Sequence, residues 1–203
     1  MSWPTNCMSE PAHVEKLNAV ASLRRMLDTV DAEDKRYSDE RFGIAVCKEA
    51  LDAVAKGNYG VGCMLLDPHG RTVAIGGNQV FFPRFRSDQH AEMVVMNAFE
   101  DAFPEVSDLS GHVIHVSLEP CPMCVSRLIM SGVGVIKFVA SDNGGGMARN
   151  LRALPDSFRS LGAAQKFVLA DCSETVRHVA SQAFFLNLPE LRHRLLLRRS
   201  AFS

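Results

Sequence analysis

Nothing in this chain of 203 residues approaches the roughly 18 consecutive apolar residues of a membrane-spanning helix, so no membrane span is expected. The opening Met1-Ser2-Trp3-Pro4-Thr5-Asn6 has neither a basic stretch nor an apolar core, and secretion is not expected either. An excess of one charge is also missing. With 22 Lys and Arg against 23 Asp and Glu, the net charge of −1 gives no global attraction to nucleic acid, although a local basic patch stays open. A disulfide framework is lacking too. Of the six cysteines, Cys7, Cys47, Cys63 and Cys172 are scattered, and only Cys121 and Cys124 share a motif, which suits a reducing cytoplasm and a metal. Internal repeats are absent. The apolar share of 47% and charged share of 22% are those of an ordinary globular protein, with room for one domain or one domain plus an appendage.

Residues 1–10 read as a disordered tip. Leu17, Val20, Leu23, Leu27 and Val30 recur at steps of three and four, which predicts an amphipathic helix over about 12–30. The charged run 31–36 is a solvated connector. Ser38 is the expected N-cap of a second helix reaching about Lys56, which Gly57 ends. Val61–Leu66 and Thr72–Ile75 read as strands joined by the turn Asp67-Pro68-His69-Gly70, a hairpin. A loop over 76–88 leads to a helix carrying His90 and Glu92. A third strand over 112–117 runs into Glu119-Pro120-Cys121 and a helix to about Met130. Because a helix separates it from the fourth strand, 135–140, the two should pair in parallel. A glycine-rich loop at 143–147, a fifth strand near 166–170 and a helix over 174–186 follow, and Pro189 opens a last helix rich in Leu and Arg. This order predicts a three-layer α/β/α domain with a mixed five-stranded sheet over 38–186, a helical extension over 1–37 and a basic C-terminal helix over 187–203.

His90-Ala91-Glu92 and Pro120-Cys121-Pro122-Met123-Cys124 carry the chemistry. Cys121 and Cys124 lie three apart at a helix start, on one face, where the helix end favours thiolates. Pro122 sits early in that helix, where its missing N–H costs nothing. With His90 they give zinc three ligands and leave a position open to water, whose pKa zinc can lower towards 7. Glu92, two residues from His90, is too close to be a comfortable fourth ligand and is suited to moving protons. Such a set suits hydrolytic deamination at an amidine-like carbon. Cys-x-x-Cys alone can be a redox pair, and a structural zinc would recruit His112, His115 or Cys63.

These residues match the zinc-deaminase signature, and the chain resembles the cytidine and deoxycytidylate deaminase superfamily over about residues 38–186. Within it the likeness is to bacterial tRNA adenosine deaminases and guanine deaminases. It rests on Gly60-Val61-Gly62-Cys63, Gly77-Asn78, His90-Ala91-Glu92, Leu118–Cys124 and Ala140-Ser141-Asp142. The resemblance implies one zinc per subunit held by His90, Cys121 and Cys124, attack by zinc-bound hydroxide, and Glu92 as proton shuttle. It also implies Asn78, the Ala91 backbone N–H and Asp142 near the substrate, and a cytoplasmic homodimer. The chain departs from the tRNA enzymes at Gly60, where they usually carry Pro, at Ser87-Asp88-Gln89, and at Asn143-Gly144-Gly145-Gly146, where they carry basic residues.

A small nucleobase or nucleoside is therefore the first expectation for the substrate. The alternative is tRNA adenosine, and a zinc-stabilised binding module without turnover is the reading from another class. The loop 80–86 interleaves Phe81, Phe82 and Phe85 with Arg84 and Arg86. It either stacks a base and meets a phosphate, or two of its Phe residues pack into the core or a dimer interface, the preferred reading. Arg192, Arg194, Arg198 and Arg199 either touch an RNA backbone or, as preferred, form a solvated face. Phe184-Phe185 is expected in the core, and His178 and His193 on the surface.

Overall fold

The computed structural model describes residues 10–200, with side chains over 14–198. The N-terminal tip expected over 1–10 lies outside the described residues except for Glu10, which opens the first helix. In chain order the elements are α1 (Glu10–Asp28), α2 (Glu40–Ala55), β1 (Gly62–Leu66), β2 (Thr72–Gly77), α3 (Ala91–Ala102), β3 (Val113–Leu118), α4 (Pro122–Ser131) and β4 (Val135–Ala140). A 3-10 segment (Ala148–Ala153), α5 (Asp156–Leu161), β5 (Lys166–Leu169) and α6 (Glu174–Ser200) follow. No motif announced the 3-10 segment or α5.

The five strands form one sheet in the order β2-β1-β3-β4-β5. β1 pairs antiparallel with β2 and β3, while β3, β4 and β5 run parallel, so the expected hairpin and the expected parallel pair are both present. Helices α2 and α6 cover one face of the sheet, with α1 outside against both; α3 lies on the other face beside α4, and α5 packs against α4. Covered on two sides, β1 is buried at every residue and β3 at all but its first. Edge strands β2 and β5 are largely open. Glycine is required where helices touch β1. A Cβ at Gly60 would lie 2.1 Å from the Ala183 carbonyl oxygen of α6, and one at Gly62 would lie 2.1 Å from that of Val46 in α2.

Helix α1 buries Val20, Leu23 and Leu27 in the main core. Arg24 pairs with Asp52 of α2, and Lys16 Nζ donates to Glu190 of α6 at 2.8 Å.

Two local expectations are overturned. Ser38 does not cap α2; Asp39 holds that position and makes no side-chain cap bond. The carboxylate of Asp39 instead accepts from Lys137 Nζ of β4 (2.7 Å), from the Asp171 N–H (2.9 Å), and faces His115 Nε2 of β3 (3.2 Å). Ser38 donates through its N–H and Oγ to the Asp171 carboxylate. Tertiary partners thus outcompete local capping. Nor does Pro189 open a helix: it lies inside α6, which runs unbroken from Glu174 to Ser200. The loss of one backbone donor at Pro189 is tolerated because that helix is held from both sides of the proline. Before it lie Val176, Val179, Ala180 and Ala183 in the main core, and after it Leu191 in a second cluster with Val80 and Phe81.

Candidate active site

Each half of the motif occupies a helix start, for a local reason. His90 is the N-cap of α3 and Cys121 the N-cap of α4, both with extended backbone and neither bonding its own helix through its side chain. The imidazole and the thiol can therefore turn to a shared centre. Pro122 follows at the first helical position, and Cys124 comes round on the same turn. The three ligand atoms form a near-equilateral triangle. His90 Nδ1 lies 3.6 Å from each sulfur, and the sulfurs are 3.7 Å apart. Tetrahedral zinc with Zn–S of about 2.3 Å and Zn–N of about 2.0–2.1 Å sets edges of about 3.8 Å between sulfurs and about 3.6 Å between sulfur and nitrogen. The donor set fits zinc in chemistry and spacing. Among the described residues this is the sole group of three metal-ligating side chains; Cys63, His112 and His115 stand outside it, so a fourth protein ligand is not offered.

Two thiols this close ionise unequally. The hydrogen bond from Cys124, then that of His90, outweighs burial and brings the Cys121 thiol down to about 4. Cys124, the donor to Cys121 and buried, holds its proton well above the ordinary range. A divalent cation relieves that second, costly charge. Glu92 lies beside the cluster, 3% exposed, in contact with Cys124. Burial first, and then the Cys121 thiolate, push its carboxyl above the usual range.

His90, Glu92 and Cys121 line a cavity of about 570 Å³ together with Asn78. Asn78 is buried, its Oδ1 accepts the Val80 N–H at 3.1 Å, and its Nδ2 makes no hydrogen bond among the described residues. Asp142 also lines the cavity, but its Oδ1 accepts the N–H groups of Gly144 (2.9 Å) and Gly145 (3.0 Å), which shapes its own loop. Ala91, fully buried at the start of α3, is not among the lining residues.

Sequence reasoning missed two parts of the wall. Glu119, next to the cysteine motif, accepts from the Arg149 N–H (3.0 Å), from Arg149 Nε (2.7 Å) and from the Asp142 N–H (3.1 Å), fixing the glycine-rich loop over the cavity. The second part is α6, which contributes Ser181, Phe184, Phe185, Leu188, Arg192 and Leu195. Phe185 is 56% exposed rather than core. These positions recur at helical spacing, a signal hidden by treating Pro189 as a boundary.

The loop over 80–86 follows the packing expectation for Phe81, which is buried, and Phe85, which is half-buried, while Phe82 is 53% exposed. The arginines of α6 are not simply solvated. Arg194 lies over the Phe81 ring at 4.7 Å and Arg198 over Phe85 at 3.9 Å, and Arg192 lines the cavity; the side chain of Arg199 lies outside the described residues. His178 and His193 are exposed, as expected.

Comparison with known proteins bears on this geometry. Residues 36–140 match the model of the cytidine and deoxycytidylate deaminase zinc-binding region. The tRNA-specific adenosine deaminase of Bacillus subtilis (strain 168) is 34% identical over 116 residues, 57% of this chain and 70% of that protein. A structure from work on A-to-I editing by tRNA:A34 deaminases superposes with a TM-score of 0.60 at 21% identity, covering 70% of this chain and 98% of that one. Guanine deaminase from Nitrosomonas europaea superposes with a TM-score of 0.54 at 18% identity, over 90% of this chain and 97% of that one. At such identities the two structures establish a shared fold.

Proposed function

This chain belongs to the cytidine and deoxycytidylate deaminase family, zinc-dependent hydrolases of C–N bonds, and from that premise we propose that its substrate is a small aminopurine or aminopyrimidine base or its nucleoside. His90, Cys121 and Cys124 are the proposed zinc ligands and Glu92 the proton carrier. The observation that carries the reading is the three-ligand triangle opening on the cavity with Glu92 beside it and no fourth protein ligand among the described residues.

When bound, zinc supplies the Lewis acidity that makes water a nucleophile near neutral pH. The chain's own residues do the rest. In the overall reaction a C–O bond forms at the ring carbon, the C–N bond to the amino group breaks, and ammonia leaves. Glu92, buried at the floor, takes the proton of the attacking water and returns protons to the ring nitrogen and the departing amine. Asn78, with Nδ2 uncommitted in a buried position, orients the base by donating to a ring acceptor. Glu119 holds the Asp142–Gly146 segment so that the cavity wall is formed before substrate arrives.

A second reading, tRNA adenosine deamination, is favoured by the Bacillus subtilis relative and by the arginines of α6. The small-substrate reading is supported by the net charge of −1 and by glycines where basic loop residues would serve RNA. A homodimer in the cytoplasm is part of the proposal. The test is ammonia release by zinc-loaded protein from guanine, adenine, cytosine, their nucleosides and an anticodon stem-loop. Turnover of a base or nucleoside is expected; turnover of the stem-loop alone transfers the assignment to tRNA, with steep loss of binding on added salt.

A further inference from the structure

A cavity of about 570 Å³ falls in the range of about 300–1,000 Å³ that encloses ligands of drug size, well beyond one heterocyclic ring. It opens at the C-terminal ends of β3 and β4, where Leu118 and Ser141 line it. The candidate metal ligands enter from the starts of α3 and α4 on one face of the sheet, and α6 walls the cavity from the other. A heterocycle whose amino group faces those ligands therefore presents its opposite edge to α6. That far wall is aromatic. Ring contacts run without a gap from Phe85 to Phe81 (5.5 Å), Phe81 to Tyr59 (5.7 Å), Tyr59 to Phe184 (6.3 Å) and Phe184 to Phe185 (5.7 Å). All but the buried Phe81 line the cavity, and Leu188 and Leu195 of α6 join them. Protein covers the lining rings incompletely: Tyr59, Phe85 and Phe184 are half-buried, and Phe185 is 56% exposed.

The row of rings is held in place by a buried amide. Asn58 Oδ1 accepts the N–H groups of Phe81 (2.7 Å) and Phe82 (2.9 Å), and the Asn58 carbonyl accepts Asn187 Nδ2 of α6 (2.6 Å). Loop and helix are thereby tied together, and the wall is formed before a ligand arrives. Arg194 lies over Phe81 and Arg198 over Phe85, so cations already occupy the row and a cationic ligand group is disfavoured there. Four of the six α6 side chains in the lining are apolar, with Ser181 and Arg192 the exceptions. A sugar set against this wall would bury hydroxyls on rings and leucines. Open apolar surface in a cavity is instead matched by an apolar ligand. We propose that the Phe85–Tyr59–Phe184–Phe185 row binds a neutral aryl or branched alkyl arm, carried by the substrate on the ring edge opposite its amino group. The substrate is then an aminoheterocycle with an apolar arm in place of a sugar. This inference rests on the deaminase reading of the same cavity and narrows its substrate class. The reaction is unchanged: water adds at the ring carbon, the C–N bond to the amino group breaks, and ammonia leaves.

The test uses N-methyl and N-benzyl derivatives of adenine, guanine and cytosine, substituted at the nitrogen that bears the sugar in the nucleosides, beside the nucleosides themselves. Ammonia release and, separately, calorimetric binding are measured on the zinc-loaded full chain. For the base that is turned over, kcat/KM of the benzyl derivative should exceed that of the methyl derivative by about tenfold or more, the transfer value of a buried side chain of Phe size. It should also exceed that of the nucleoside. Because the arm does not react, the gain should lie mainly in KM, and it should survive added salt. Phe185→Ala should bring the benzyl-to-methyl ratio down several-fold, and Phe185→Leu should keep part of it. Equal use of the two derivatives, or preference for the nucleoside, overturns the arm site and leaves the deaminase reading standing. An equal fractional loss for both derivatives in Phe185→Ala overturns it as well, since that marks packing. Should no probe release ammonia, the substrate reading fails, and calorimetry still decides the site. Tighter binding of the benzyl derivative that is lost in Phe185→Ala supports it, and equal or absent binding overturns it.

Discussion

Glu92 and Asp39 are both buried carboxylic acids at the start of a helix, yet their surroundings drive them in opposite directions. At Glu92 burial dominates and the proton is held above the usual carboxylate range. At Asp39 burial pushes the same way, but hydrogen bonds from His115, Lys137 and the Asp171 N–H overcome it and the group stays ionised well below that range. The contrast separates two uses of a buried acid. One saturated with donors ties β3, β4 and the β5–α6 loop to α2. One left short of donors beside a cavity keeps its proton-binding capacity, as the proposed proton carrier requires.

The largest test removes the frame around Glu92. Cys121→Ala should abolish zinc binding and turnover together, read by metal content and ammonia release. Glu92→Gln should keep the metal and lose about 10²–10⁴-fold in kcat, with thermal stability near that of the parent. If both variants lost zinc equally, the reactive half of the comparison would be wrong.

Asp39→Asn attacks the structural half. Leaving Lys137 and His115 without their anion should cost about 3–5 kcal/mol of stability, measured by denaturant unfolding, with little change in turnover per folded molecule. Because the folded pKa of Asp39 is depressed, its contribution is complete above the ordinary carboxylate value of about 4 and is lost as pH falls below it. The gap between parent and Asp39→Asn should therefore narrow on acidification from pH 5 towards about 2. A gap that is constant with pH would break the contrast.

Glu119→Gln is the smaller test, because an amide retains one acceptor oxygen. It should cost about 1–3 kcal/mol and raise KM more than it lowers kcat, as the Asp142–Gly146 wall loosens.

Much of this was legible in the chain. The hairpin, the parallel β3–β4 pair and β4 itself follow from turn chemistry and crossover length. The His90, Cys121 and Cys124 cluster could be read because each candidate ligand sits in a short local motif whose helix start sets its direction. Ser38 misled, because capping preference is local while Asp39 is positioned by partners more than seventy residues away. Pro189 misled for a related reason: packing on both sides of the proline overrode a rule about isolated helices. Phe185 looked like core since apolarity alone does not distinguish a core from a cavity wall.

By itself, then, the sequence determined the proposed reaction centre, since His90, Glu92, Cys121 and Cys124 lie within two helix starts where backbone geometry dictates side-chain direction. Only the tertiary structure decided the rest of the cavity. Tyr59, Glu119 and the Ser181–Leu195 face of α6 meet there through long-range packing, which no local pattern encodes, and what they bound is the space of the proposed substrate.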